Sequence, residues 1–272
     1  MENTVIQVIV TGAAGRMGGR IITLIQGDDR MELVGAVERE GHPLVGSDVG
    51  GHLGLGDTGV VLEGDLTACI EQGDVVIDFS SHTASVEHLR TAAAHNKAIV
   101  IGSTGLTPDE MKQVADISRG ARCVLAPNMS VGVNVMFKVL RDVADVLGDG
   151  YEVEIVEAHH NQKKDAPSGT AVKMAQIIAQ SLDRNIDKVG VYGRKGMVGA
   201  RPRSEIGVHA VRAGDIVGEH TVVFGGMGER LEFIHRAHSR DNFARGALRA
   251  AVWVTGRENG LYDMQDVLGL KD

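Results

Sequence analysis

The segment Glu157-Ala-His-His-Asn-Gln-Lys-Lys-Asp-Ala-Pro-Ser-Gly-Thr-Ala171 gathers the side chains best able to do chemistry in this sequence. Histidine titrates near working pH, and Lys163 and Lys164 add ammonium groups a few residues on. A histidine with a nearby lysine suits a proton donor beside an anion clamp, and hence a substrate carrying carboxylates. Adjacent histidines on an extended segment point in opposite directions, so His159 and His160 are expected to take different roles. Two other readings stand beside this one. Glu157 or Asp165 could join the histidines at a metal, although an H-H pair lacks the i, i+4 spacing of a typical helical zinc pair. The segment could also be polar surface without chemistry.

The flanks of the segment must position it. Tyr151-Glu-Val-Glu-Ile155 alternates as a half-buried strand, and Ala171, Ala175, Ile178 and Leu182 mark one face of a helix. Pro167 ends any extended stretch, and Ser168 suits the N-cap. Amides near Gly169 and Thr170 then form an anion site fit for a carboxylate, and Gly169 leaves room for a ligand to reach the backbone.

A second constellation lies near the N-terminus. Val5–Val10 reads as a buried strand, and Met17, Ile21, Leu24 and Ile25 mark a helix face. Between them runs Gly12-Ala13-Ala14-Gly15-Arg16-Met17-Gly18. Gly12 permits a tight turn, Gly15 a close backbone approach to a pyrophosphate, and Gly18 close helix–strand packing. A second strand, Leu33–Val37, ends at Glu38-Arg39, where an acid can bind ribose hydroxyls. The adjacent Arg39, and Arg16 in the turn, can meet a 2′-phosphate, so use of NADH or NADPH is expected. A solvated surface charge is the other reading of Arg39. The turns Gly102-Ser103-Thr104-Gly105 and Ala126-Pro127-Asn128-Met129-Ser130 end later strands and should border the nicotinamide, although either alone would pass as an ordinary turn.

Further strand-like runs at Val75–Phe79, Ala98–Ile101 and Cys123–Ala126 alternate with helical stretches at Val86–Ala94 and Pro108–Ser118. That alternation implies parallel βαβ units. Gly41–Gly59 is glycine-rich and reads as a long surface loop. Beyond residue 130 come a helix through Met136 and Leu147, then alternating strands at Ile206–Val211, Val222–Phe224 and Leu231–Phe233, and a helical tail at Asn242–Val254. The expected class is α/β: a Rossmann-like parallel-sheet nucleotide-binding domain over 1–130, with 241–272 returning to it. The expected second domain, 131–240, is an α+β substrate-binding and oligomerisation domain with a mixed sheet.

Composition narrows the functions. The net charge of -8 comes without a basic block, which argues against nucleic-acid or membrane partners. Cys69 and Cys123 have no metal or redox spacing and suit a reducing compartment. No metal site is expected. With no basic leader region and no apolar run long enough to span a bilayer, the expected location is cytoplasmic.

The run E-A-H-H-x-x-K-x-D-A-P-S-G-T-A and the G-A-A-G-R-M-G turn together resemble the 4-hydroxy-tetrahydrodipicolinate reductase family, long called dihydrodipicolinate reductase. The resemblance extends through Asp78-Phe79-Ser80, the Gly102 turn, Ala126-Pro127-Asn128 and Ser239-Arg240, essentially the whole chain. It implies NAD(P)H-dependent reduction of a cyclic, imine-type dicarboxylate in lysine and diaminopimelate biosynthesis. It implies that His159 and Lys163 handle protons, and that His160, Gly169 and Thr170 bind the substrate carboxylates. Gly12 through Met17, Glu38, Arg39, Gly102 to Thr104 and Ala126 to Met129 would line the cofactor. A cytoplasmic homotetramer, assembled through sheets of the C-terminal domain, is also implied. Ser103 and Met129 stand where members often carry Thr and an aromatic, both on the cofactor side. Two other functions stay open: another NAD(P)-dependent dehydrogenase of an amino-acid-derived acid, and a nucleotide sensor without turnover.

Overall fold

A computed structural model describes residues 5–271. The chain forms two compact units, one holding the chain up to Val131 and again from Arg240, the other Gly132–Ser239. The strands run in chain order as β1 (Ile6–Thr11), β2 (Met31–Val37), β3 (Leu62–Glu63), β4 (Val75–Asp78), β5 (Ala98–Ile101), β6 (Arg122–Leu125), β7 (Glu152–His159), β8 (Gly190–Val191), β9 (Ile206–Arg212), β10 (Gly218–Gly225), β11 (Arg230–Ala237) and β12 (Gly260–Tyr262).

In the first unit seven parallel strands lie in the order β12-β6-β5-β4-β1-β2-β3. Strands of such a sheet are covered on both faces, which is why Val8–Val10 of β1, Val75–Ile77 of β4 and all of β5 are unbroken apolar runs. Val8 and Val10 join a cluster with Ile21, Ile22, Ala247 and Ala251, whereas Ile9 joins the opposite cluster with Leu89, Ile99 and Val114. Strand order reverses between β1 and β4. Because every strand is parallel, the turns at Gly12, Glu38, Phe79, Gly102 and Ala126 all follow carboxyl ends at one edge of the sheet, where ligands of this architecture bind.

The C-terminal segment completes this unit. Helix Asp241–Thr255 packs against β4, β5 and β6, and β12 pairs with β6. Asp241 accepts from Arg20 Nε at 2.5 Å and Nη2 at 2.7 Å. A Cβ at Gly246 would overlap the Met129 carbonyl, so the helix lies directly on that turn.

The region 41–59 differs from the expected loop, since it contains helix Val49–Leu53. The Asp48 carboxylate accepts from the amides of Gly50 at 2.7 Å and Thr58 at 3.2 Å. One acid thus satisfies donors that would otherwise leave so short a helix open, without needing apolar periodicity.

In the second unit five strands form a mixed sheet, β11-β10-β7-β9-β8, with β7 parallel to β9 and antiparallel to β10. Val153, Ile155, Val208, Val222 and Phe224 face helices Val131–Leu147 and Gly169–Ser181 and form the core. The alternate positions place Val156, Val211 and Ile234 on the other face, all exposed. Among the described residues no helix is long and apolar enough to cross a membrane.

Candidate active site

In the second unit, the period of a strand decides which groups meet. Val153, Ile155, Glu157 and His159 alternate along β7 and all point to the buried side. Glu157 is fully buried and His159 is 9% exposed, while His160, one residue past the strand, is half-buried. Glu157 Oε2 lies 2.6 Å from His159 Nδ1. Arg212, ending β9, donates to both carboxylate oxygens at 2.8 Å, and the Ser168 amide donates to Oε1 at 3.0 Å. Ser168 caps helix Gly169–Ser181 as its position suggests, its Oγ accepting from the Ala171 amide at 3.2 Å. Gly169 has open space where a Cβ would stand.

Lys163 belongs to the turn between β7 and that helix, its Nζ 2.9 Å from Asp165 Oδ1. Arg212 also donates to the Asp165 carbonyl at 2.6 Å, so one guanidinium ties the turn to Glu157. His159, His160, Lys163, Gly169 and Thr170 therefore share one region of the second unit, at the end of β7 and the start of the helix. Among the described residues, no group of three or more His, Cys, Asp or Glu side chains is placed to hold a metal ion.

Burial is the main reason the His159 pKa lies below the ordinary histidine value; Glu157 opposes the shift, and the Lys163 and Arg212 charges add to it. For Glu157, burial alone would raise the pKa, but Arg212, His159 and the Ser168 amide hold it below the usual carboxylate range. His220 of β10 stacks edge-on to His159 at 5.3 Å between ring centroids, with its Nε2 3.1 Å from Ser168 Oγ. Burial first, then the His159 and His235 charges, push its pKa down to about 3.

That depression has a stability consequence. Between the unfolded histidine value of about 6.5 and the folded value, the unfolded chain binds a proton that the native chain refuses. Stability therefore falls as pH drops through that window, by up to about 1.4 kcal/mol per pH unit from this group. His220→Gln is expected to flatten the decline of the urea midpoint below about pH 6.5. An unchanged slope would remove His220 from this role.

In the first unit, the glycine turn leaves no room for side chains. Gly12 has φ +69°, and a Cβ there would sit 2.6 Å from the Phe79 carbonyl oxygen. A Cβ at Gly18 would overlap the Gly12 carbonyl. Helix Arg16–Ile25 starts at Gly15 with no side-chain cap, so its first amides and dipole face the turn. A cavity of about 620 Å³ opens there, lined by Gly12, Gly15, Glu38, Arg39, Phe79 and His88 among others. An uncapped helix start with an acid and a guanidinium at the next strand end fits a dinucleotide.

The remaining residues expected to line the cofactor divide by exposure. Arg16, Thr104 and Pro127 are exposed, and Ala14, Met17, Gly102 and Asn128 are half-buried. Asn128 Oδ1 accepts from the Ser130 amide at 2.9 Å. Ala13, Ala126 and Met129 are packed in the core at no more than 2% exposure, so their side chains are not presented to a ligand. The side chain at 129 consequently bears on packing. Ser103 is buried, its Oγ donating to Asp78 at 3.5 Å.

Sequence reasoning assigns no role to several supporting groups. Asp78, fully buried at the end of β4, accepts from the Ser80 amide at 2.8 Å and Ser80 Oγ at 2.6 Å, and lies 3.0 Å from His88 Nδ1. It therefore ties together the turns after β4 and β5. Burial would raise its pKa, yet His88 and Ser80 hold it below the usual range. The sequence offers Glu157 only as a metal ligand. The available signal was its i, i+2 relation to His159 on the buried side of an alternating strand. Arg212 and His220 carry no local signal.

The chain matches the family models described as dihydrodipicolinate reductase N-terminus over residues 6–129 and C-terminus over residues 132–268. A 4-hydroxy-tetrahydrodipicolinate reductase from Syntrophus aciditrophicus is 60% identical over 266 residues, covering 98% of this chain and 99% of that protein. One from Geotalea daltonii is 57% identical, covering 98% of this chain and 100% of that protein. The solved structure of a dipicolinate-bound dihydrodipicolinate reductase from Paenisporosarcina sp. TG-14 superposes with a TM-score of 0.75 at 27% identity, covering 97% of this chain and 99% of that one. With both units matched and the similarity running end to end, this chain belongs to the dihydrodipicolinate reductase family.

Proposed function

We propose that the protein reduces 4-hydroxy-tetrahydrodipicolinate to tetrahydrodipicolinate, with loss of water, using NADH or NADPH in lysine and diaminopimelate biosynthesis. The observation that carries this reading is the grouping of His159, Lys163 and the Gly169 helix start in a chain whose two units match the two halves of one reductase family. The substrate is a dicarboxylate, and the helix start with His160, Gly169 and Thr170 offers amides and a positive dipole end to a carboxylate. His159 and Lys163 hold and move the proton that the reduced ring must acquire. A bound nicotinamide cofactor supplies the reducing equivalent. Gly12 through Met17, Glu38, Arg39, Gly102 to Thr104 and Ala126 to Met129 form the region that holds it.

Loss of NADH absorbance, with substrate generated in place by the upstream synthase from pyruvate and aspartate semialdehyde, tests this reading. Consumption must require the synthase and disappear in a variant lacking both His159 and Lys163. Binding of NADH without consumption would overturn it.

Glu38 favours NADH through the ribose hydroxyls, and Arg39 favours NADPH through the 2′-phosphate. Arg39→Ala is expected to raise KM for NADPH by about 10-fold, the loss of one charged hydrogen bond, with little change for NADH. An unchanged NADPH KM would leave Arg39 a surface charge. The exposed Val156, Val211 and Ile234 on the open sheet face support a homotetramer built through that sheet, working in the cytoplasm. A sedimentation mass of a 28.9 kDa monomer would refute the assembly.

A further inference from the structure

We propose that Glu157 is a positioning residue that fixes neutral His159 as its Nδ1–H tautomer and leaves Nε2 bare, ready to accept a proton. The inference deepens the reading of His159 as a proton-handling group and rests on it.

The argument is one of donors and acceptors. Four N–H directions converge on the Glu157 carboxylate. Oε2 receives Arg212 Nη1 at 2.8 Å and faces His159 Nδ1 at 2.6 Å, while Oε1 receives Arg212 Nη2 at 2.8 Å and the Ser168 amide at 3.0 Å. An ionised carboxylate only accepts, and a bidentate guanidinium keeps this one ionised. At 2.6 Å the His159 Nδ1 must therefore be the donor. A neutral imidazole has one N–H, so once Nδ1 carries it Nε2 has only its lone pair.

The surroundings keep the ring neutral at rest. The charged and titratable groups around it are Glu157 on its own strand, Lys163 on the following turn, Arg212 on β9 and His220 on β10. Burial is the main effect, and the two cations, Lys163 and Arg212, add to it against the opposing carboxylate. Nε2 faces Gly218, where a Cβ would stand 3.0 Å away, so glycine at that position leaves the bare nitrogen uncrowded. Nε2 takes up a proton from solvent, the resulting imidazolium is paired with a carboxylate already held in place, and passing that proton to the reduced ring returns Nε2 to its bare state. No side chain has to move. The Ser168 amide and the Arg212–Asp165 link fix the same carboxylate to the helix start and the Lys163 turn. The proton-handling ring and the carboxylate-binding turn thus share one anchor.

The test uses full-length protein labelled with 15N-histidine, the His159 signals being assigned by their absence in His159→Gln. At pH 7.5 the wild-type ring is expected to show a protonated Nδ1 and a pyridine-like Nε2. The reverse pattern overturns the proposal, whatever the role of His159 in turnover. In Glu157→Gln, kcat is expected to fall by roughly 10²-fold with KM for the cofactor unchanged, as when a tautomer-setting carboxylate is lost. The His159 titration should also move to lower pH, because the group that raised it is gone. A variant that retains the wild-type tautomer and titration overturns the proposal even if its activity falls. If that variant does not fold, the wild-type spectrum decides alone. Loss of activity in His159→Gln tests the catalytic reading separately.

Discussion

His159→Gln is expected to lower kcat by roughly 10²-fold or more while KM for the dicarboxylate stays within about threefold. Reduction of the conjugated ring builds electron density that a positioned group must meet with a proton, and that demand arises only on the way to the transition state. Glutamine keeps a polar group beside Glu157 and Arg212, so the ion pair and the local fold remain. It cannot take up and release a proton near neutral pH. The ground state binds through the helix start and its neighbours, which this substitution leaves alone. Steady-state kinetics with the synthase-coupled substrate separates the two effects. A raised KM with unchanged kcat would make His159 a binding residue.

Arg212→Ala is expected to destabilise the protein by about 3 kcal/mol, because it removes both guanidinium donors from a carboxylate that cannot reach water. Glu157 has no exposed surface, and the Arg212 side chain is only 20% exposed, so solvent screens the pair weakly. The double variant Glu157→Gln, Arg212→Ala should be more stable than Arg212→Ala alone, since it leaves no unpaired buried charge. Urea unfolding of the four proteins measures the coupling. A loss below about 1 kcal/mol in the single variant would mean that other groups satisfy Glu157.

What was legible in the sequence is what neighbours along the chain decide. The strand, glycine turn and helix of the nucleotide end are contiguous from β1 through Arg16–Ile25, and the close approach of Gly18 to the Gly12 carbonyl lies within that one turn, whereas the clash awaiting a side chain at Gly12 comes from Phe79 and needs the fold. The Ser168 cap was legible because it too is local. The Arg212–Glu157 pair was not, because it joins residues 55 apart through the register of β7 with β9. β12 spans three residues, too few for a period to show, and helix Val49–Leu53 depends on one capping acid. Family likeness named Ala13, Ala126 and Met129 as cofactor residues, but their side chains turn into the core. Which way a side chain points at a strand end is settled by what packs over it, here helix Asp241–Thr255.

That helix, with β12, also sets an order of events at the ribosome. Strands β1 to β6 emerge first, but the helix that covers Val100 and Val124 is encoded after residue 240. At roughly 5–20 residues per second, the nascent nucleotide unit waits several seconds with the part of one face over β4, β5 and β6 uncovered while Gly132–Ser239 is made. The second unit has all of its own strands once β11 is out. The part of the chain synthesised first is therefore among the last to be finished, and during that interval its exposed apolar surface is open to aggregation.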